Sequence, residues 1–298
     1  MKFLKKKYSN SNGILSFEIK NNETKKVTNF YKETPFPNYK EEDDKQSILE
    51  KGDKNFLASQ FKKFIGFNKN ILEAGCGTGQ LSIYFSIGTN NNIVALDPTM
   101  QSLNLAKKFV DKNNILNINF VNADLFDDVL SQDYFDFIWC NGVLHHTENP
   151  YLAFKILTNS LKSKGYVLIG LYNKYGRLRT IIRRILFNLF GQKLLEKIDP
   201  TLRNLKLDED EKKAWIRDQY IHPIESLHTI DEVLTWFNKN NIEFISSIPS
   251  CEFDFDYHNI FEKKSKGSLF SRIMNQISMI FSSLGSDGGL FILIGQKH

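Results

Sequence analysis

Three glycines at alternate positions, Gly75, Gly77 and Gly79, follow an acidic residue in the stretch Ile71-Leu72-Glu73-Ala74-Gly75-Cys76-Gly77-Thr78-Gly79-Gln80-Leu81. Glycines so placed let the backbone turn sharply and come close to a ligand, because no Cβ blocks the approach or forbids positive φ. The loop is therefore suited to a nucleotide-like ligand. The dinucleotide spacing G-x-G-x-x-G is absent and Glu73 stands at the strand end, which disfavours NAD. Asp97 closes the apolar run of residues 93–96, 18 residues after Gly79. That is close to the ~20-residue offset at which a doubly wound sheet sets a carboxylate against ribose hydroxyls. Asp124 likewise ends an apolar run. Each aspartate has a plainer role available, as the cap of the helix or turn that follows it. A second group carries proton chemistry: the vicinal pair His145 and His146, then Tyr172, His222, Glu225 and His228. Imidazole titrates near neutrality and can take a proton from a hydroxyl or amine. Vicinal histidines cannot both point one way, so a structural hydrogen bond is the alternative for either.

The elements that must hold these residues are legible in the periodicity. Apolar runs at residues 71–74, 93–97, 118–123, 135–141 and 166–172 predict five strands, and helical patterns separate them. Residues 47–64 read as a helix interrupted near Gly52, and 150–161 as a helix with proline at its start and Gly165 beyond its end. Such alternation is the sequence expression of an α/β fold, a doubly wound and mostly parallel sheet. A helix near 229–237 and strands at 242–248 and 290–295 close the chain.

The strand, the E-x-G-x-G-x-G loop and the helix resemble the first motif of the class I S-adenosylmethionine-dependent methyltransferases, a Rossmann-like family. The run Phe135-Asp136-Phe137-Ile138 through Leu144-His145-His146 is similar to the FDxIxxxxxLHH pattern of many small-molecule members. The resemblance implies seven strands with the seventh antiparallel, and S-adenosyl-L-methionine as cofactor. It implies cofactor contacts at Glu73, Gly75, Cys76, Gly77, Gly79, Asp97, Pro98, Asp124, Leu125 and Asn141. Asp124 would receive the adenine amino group and Leu125 would pack on the ring. The N/D/S-P-P-aromatic loop of base methyltransferases is missing, so base methylation is disfavoured.

Length and composition set the limits. At 298 residues, 41% hydrophobic and 24% charged, the chain suits one large α/β domain. No apolar run reaches the ~20 residues that span a bilayer, and the basic start lacks the apolar segment of a secretory signal. Cys76, Cys140 and Cys251 are odd in number and lack C-x-x-C spacing, so no disulfide framework or metal site is indicated and a cytoplasmic location is expected. Residues 1–46 read as an N-terminal arm, or as a lid whose Phe36 and Tyr39 close over the site. Residues 47–298 form the catalytic domain, with insertions at 173–228 and 251–287 expected to form a helical cap. The net charge of +5 is modest, but residues 174–197 hold seven Lys/Arg against one Glu. Three readings follow: methyl transfer to an O, N or C atom of a small molecule; methylation of RNA or protein, with the basic segment on phosphates or an acidic partner; or a non-catalytic cofactor-binding protein. Nucleic acid is disfavoured. The apolar stripes of 177–190 and of Leu269, Phe270, Ile273, Met274, Ile277, Ile280, Phe281 and Leu284 are expected to bury one another, with a membrane surface or a homodimer as competing destinations.

Overall fold

A computed structural model describes the chain except for residues 34, 36–38, 41, 204–206, 255–256 and 283–287. Phe36 and Leu284 therefore lie outside the described residues. The chain opens with a short antiparallel hairpin, β1 (Ser9–Ser11) and β2 (Ile14–Ser16). Asn12 and Gly13 between them both have positive φ, the two-residue turn whose twist matches that of paired strands. Next come α1 (Asn22–Glu33), α2 (Lys45–Lys54) and α3 (Phe56–Ile65). The break between α2 and α3 falls at Asn55. Its backbone N–H closes α2 on the Gly52 carbonyl, and its side chain caps α3 by accepting the Ala58 N–H.

The strand β3 (Asn70–Ala74) then runs into the glycine loop and α4 (Gln80–Ser86). The doubly wound pattern continues with β4 (Asn92–Asp97), α5 (Met100–Lys112), β5 (Ile118–Asn122), β6 (Phe135–Asn141), α6 (Pro150–Asn159) and β7 (Leu161–Tyr172).

The first insertion supplies α7 (Leu178–Phe190), α8 (Gln192–Ile198) and α9 (Glu209–Ile216), the last running into a wide π turn over Arg217–Ile221. After it come α10 (Ile230–Lys239), β8 (Ile242–Ile248), α11 (Leu269–Ser278) and β9 (Leu290–Lys297). Among the described residues the sheet has nine strands in the order β1-β2-β5-β4-β3-β6-β7-β9-β8, two more than the seven expected. The surplus is the N-terminal hairpin, whose β2 pairs in parallel with β5 and extends that edge. Of the seven, β9 alone runs antiparallel to its neighbours and lies between β7 and β8.

Successive residues of the central strands serve opposite faces, as a pleated sheet covered on both sides requires. Leu72, Val94, Leu96, Ile138 and Ile169 pack with Phe154 of α6 and Phe237 of α10. Ile71, Ile93, Phe120, Phe137 and Leu168 pack on the other side with Phe61 of α3 and Phe85 of α4. Each large apolar side chain buried in this way contributes roughly 1.5–3 kcal/mol relative to exposure. The two layers fix β3, β4, β5 and β6 side by side, so that Ala74, Asp97, Asn122 and Asn141 end at one rim of the sheet.

The insertions meet at their bases, where Asn173 Nδ2 donates to Gln276 Oε1 at 2.9 Å and Gly176 packs on Met279. Their apolar stripes do not cover each other: Ile185, Leu189, Phe190, Leu269, Phe270 and Phe281 all remain exposed. The reason is that α11 turns Ser271, Asn275 and Gln276 inward to bond the backbone of Cys251, Ser250 and Ile230. Its apolar side is left facing outward.

Candidate active site

A cavity of about 500 Å³ opens at the strand rim, and the glycine loop forms its floor. Gly75, Gly77 and Gly79 all adopt positive φ, the conformation that other side chains resist. A Cβ on Gly75 would overlap Val143, which faces it from the loop after β6. Asp97 fastens the loop: its Oδ2 accepts the Gly77 N–H at 2.8 Å and its Oδ1 the Thr99 N–H at 2.7 Å. Burial raises the Asp97 pKa, against the lowering effect of those two N–H groups. Glu73 is more strongly affected. Burial pushes its carboxyl up to about 8, and Ser82 hydrogen-bonds it from α4. Asp124 Oδ1 accepts the Phe126 N–H at 3.0 Å, whereas its Oδ2 is buried with no partner among the described residues. Asn141 Oδ1 is buried and unpartnered in the same way, above Gly170, where any Cβ would overlap it.

The second group of residues is built around a cluster of rings. Tyr172 lies 3.9 Å from His145, His145 lies 4.1 Å from His146, and His146 lies 3.6 Å from His222, centroid to centroid. The Arg177 guanidinium covers the other face of Tyr172 at 3.7 Å. His146 lines the cavity. Its Nδ1 sits 2.7 Å from the Ile224 carbonyl, which can only accept, so that nitrogen carries the proton and Nε2 keeps its lone pair. Burial lowers the pKa of His146, so the ring is neutral at pH 7. Burial and then the neighbouring His146 push His222 down to about 3.

The sequence-derived candidates thus divide by position. Glu73, Gly75, Cys76, Gly77, Asp97, Pro98, Asp124, Leu125, Asn141, His146 and Tyr172 line the cavity. Gly79 stands below it as the N-cap of α4. His145 is fully enclosed, with neither ring nitrogen partnered among the described residues, and packs against both Tyr172 and His146, which also meet edge to face at 5.6 Å. His222 stacks behind His146. His228 bonds Ser226 and Glu232 away from the cavity. Glu225 holds Arg177 through both oxygens, at 2.6 and 3.2 Å, and Arg184 at 2.8 Å.

The cavity wall includes residues that sequence reasoning missed. Glu23, Thr24, Val27 and Tyr31 of α1 close one side, and Asp218 and Gln219 of the π turn close another. Tyr31 Oη donates to Asp218 Oδ1 at 2.9 Å, and Gln219 Nε2 lies 2.9 Å from Tyr172 Oη. Tyr39, placed over the site only in the lid reading of the N-terminal arm, donates to the Thr78 carbonyl at 2.7 Å and stacks on Phe109. The spacing of Val27, Phe30 and Tyr31 is the one helical signal that α1 offered.

A family described as "Methyltransferase domain" matches residues 66–248, well over half of the chain. The chain belongs to that methyltransferase family. It is 26% identical over 198 residues to an uncharacterized protein of a Synechococcus species, a match covering 59% of this chain and 47% of that one. It is 25% identical over 104 residues to the ubiquinone biosynthesis O-methyltransferase of Rickettsia bellii, covering 35% of this chain and 42% of that one. The chain spans under half the length of these relatives. Among solved structures, magnesium protoporphyrin IX methyltransferase from Synechocystis superposes with a TM-score of 0.54 at 14% identity, covering 93% of this chain and all of that one. Geranyl diphosphate C-methyltransferase from Streptomyces coelicolor gives 0.52 at 12% identity, covering 94% and 100%. At such identities the likeness is one of fold.

The fold is that of the class I methyltransferases, and S-adenosylmethionine is the cofactor that the sequence resemblance implies. The unpartnered, buried Asp124 Oδ2 fits this cofactor, since it is an acceptor in need of an N–H donor such as the adenine amine. Asp97 retains lone pairs for ribose hydroxyls beyond the two N–H bonds it already accepts. Asp97→Ala should lose both that contact and the tie to Gly77. Calorimetry should show S-adenosylmethionine binding weakened by about 1.5–3 kcal/mol, roughly 10- to 150-fold. An unchanged dissociation constant would remove Asp97 from the site.

Proposed function

We propose that this methyltransferase transfers the methyl group of S-adenosylmethionine to an oxygen or nitrogen atom of a small acceptor, with His146 as general base. The observation that carries the reading is a neutral imidazole on the cavity wall, its Nδ1 proton committed to the Ile224 carbonyl. The bound cofactor supplies an electrophilic methyl group on a sulfonium. The chain's own residues do the rest. Glu73, the glycine loop, Asp97 and Asp124 hold the cofactor, and Asn141 and Tyr172 shape the space between it and the acceptor. His146 Nε2 takes the acceptor's proton as the new bond forms, while Ile224 and the stacked His222 fix the ring. The walls limit water.

Two features favour a small acceptor over RNA or protein. A cavity of about 500 Å³ that must also hold the cofactor is of small-ligand size. The basic segment, moreover, spends much of its charge internally. Arg177 and Arg184 pair with Glu225, and Arg183 is buried near Asp199 at 3.9 Å. Those guanidiniums are not a phosphate-binding surface. In this reading α1 acts as the lid, through Tyr31.

The test is to incubate the chain with methyl-labelled S-adenosylmethionine and a cell extract separated into metabolites, RNA and protein. Label is expected in the metabolite fraction. Label confined to RNA or protein, or no transfer to any fraction, would overturn the proposal.

A further inference from the structure

The helix α7 is amphipathic in the wrong sense for a helix that serves only its own domain. Leu178, Ile182, Ile185 and Leu189 are 43%, 49%, 54% and 69% exposed. Their spacings of four, three and four residues place them within about 60° of arc at about 100° per residue, a single row along a helix of about 20 Å. Phe190, at the end of the helix, is also exposed but lies about 110° round from the row, on the Arg183 side. The buried side chains of α7 are Thr180 and Arg183, on the opposite face. From the flank of the row, about 90° round the helix, Arg179 Nη1 donates to the Ile280 carbonyl at 3.3 Å, and the next residue, Phe281, is exposed.

The charge next to this row in sequence is predominantly positive. The helix contains no acidic residue, and Lys174, Lys193 and Lys197 are exposed close to it in sequence. The single acid of residues 174–197, Glu196, accepts a hydrogen bond from Gln192. We infer that α7 is a membrane-surface helix, its aliphatic row set into the interface of an anionic bilayer and its flanking lysines on the headgroups. Interfacial helices combine such a row with basic flanks, and each lysine near an anionic leaflet adds to the attraction. A second copy of this chain is a poorer occupant. An isologous interface sets the same patch against itself, so it would bring lysines toward lysines, whereas anionic headgroups complement them.

The inference is tested with the full chain and vesicles of phosphatidylglycerol and phosphatidylcholine in equal amounts, compared with phosphatidylcholine alone. The chain should sediment with the anionic vesicles and only weakly with the neutral ones. The triple variant Ile182→Asp, Ile185→Asp, Leu189→Asp should bind at least about tenfold more weakly, with an unchanged circular dichroism spectrum. A second variant, Leu189→Trp, keeps the row apolar, and its emission should shift to the blue when anionic vesicles are added. No sedimentation with anionic vesicles, or no blue shift from that tryptophan, would overturn the inference. So would a dimer that the triple variant dissociates while lipid is ignored.

Discussion

Glu225→Ala should lower the unfolding free energy by about 3–5 kcal/mol, the usual cost of removing one partner from a buried ion pair. Arg177 is wholly buried, and Glu225 neutralises it through both carboxylate oxygens. Gln219 and the Gly288 carbonyl satisfy further N–H groups of the guanidinium but supply no opposite charge. Arg184, partly exposed, can turn toward water when Glu225 is lost. Urea denaturation is the measurement, and a loss below about 1 kcal/mol would show that the carboxylate does not offset the buried cation. Pairing Glu225→Leu with Arg177→Met should regain much of the stability, because the desolvation cost leaves with the charges. The wild-type dependence on pH has a definite sign. Burial raises the Glu225 carboxyl, but its hydrogen bond to Arg177 and the charges of Arg177 and Arg184 outweigh that and hold it below its ordinary value of 4.5. Its contribution is therefore present above about pH 4.5 and is lost as pH falls through the lower, folded-state value.

His146→Ala should lower kcat by roughly 10²–10⁴, the range of general-base contributions, while the affinity for S-adenosylmethionine stays near that of the wild type. Equal kcat in variant and wild type would mean that the acceptor reaches the site already able to attack. The pH profile gives a second readout. Burial lowers the His146 pKa, so the base is active when neutral and the acid limb of the wild-type profile should lie below the ordinary imidazole value of 6.5. That limb should vanish in the alanine variant.

The sequence displayed the sheet and the rim proposed for the cofactor because both rest on local rules: a continuous apolar run from Ile93 to Leu96 in a strand buried on both faces, glycines where φ must be positive, and an acid where a strand stops. The Asn12-Gly13 turn obeyed an equally local rule and would have announced the hairpin. What stayed hidden depends on partners far along the chain. The α1 helix is polar, with Thr28 its one buried residue among those described, and its place over the cavity comes from Tyr31 meeting Asp218 and from Arg217 meeting the ring and carbonyl of Phe30. Nothing in Arg217-Asp218-Gln219-Tyr220-Ile221 signals that the helix widens there, although such widening often accompanies functional sites. Composition described 174–197 as a basic surface, whereas Glu225 and Asp199 draw three of its arginines inward.

The position of α1 also bears on how such a protein diversifies. The residues proposed to hold the cofactor sit on the strand rim and are tied to the glycine loop, as Asp97 is to Gly77. Glu23, Thr24, Val27 and Tyr31, on the opposite wall, belong to a helix outside the sheet. Mutations there would change the shape and charge of the chamber without touching the loop proposed to bind S-adenosylmethionine. Acceptor preference can therefore drift within a single helix while the donor half of the reaction is inherited intact.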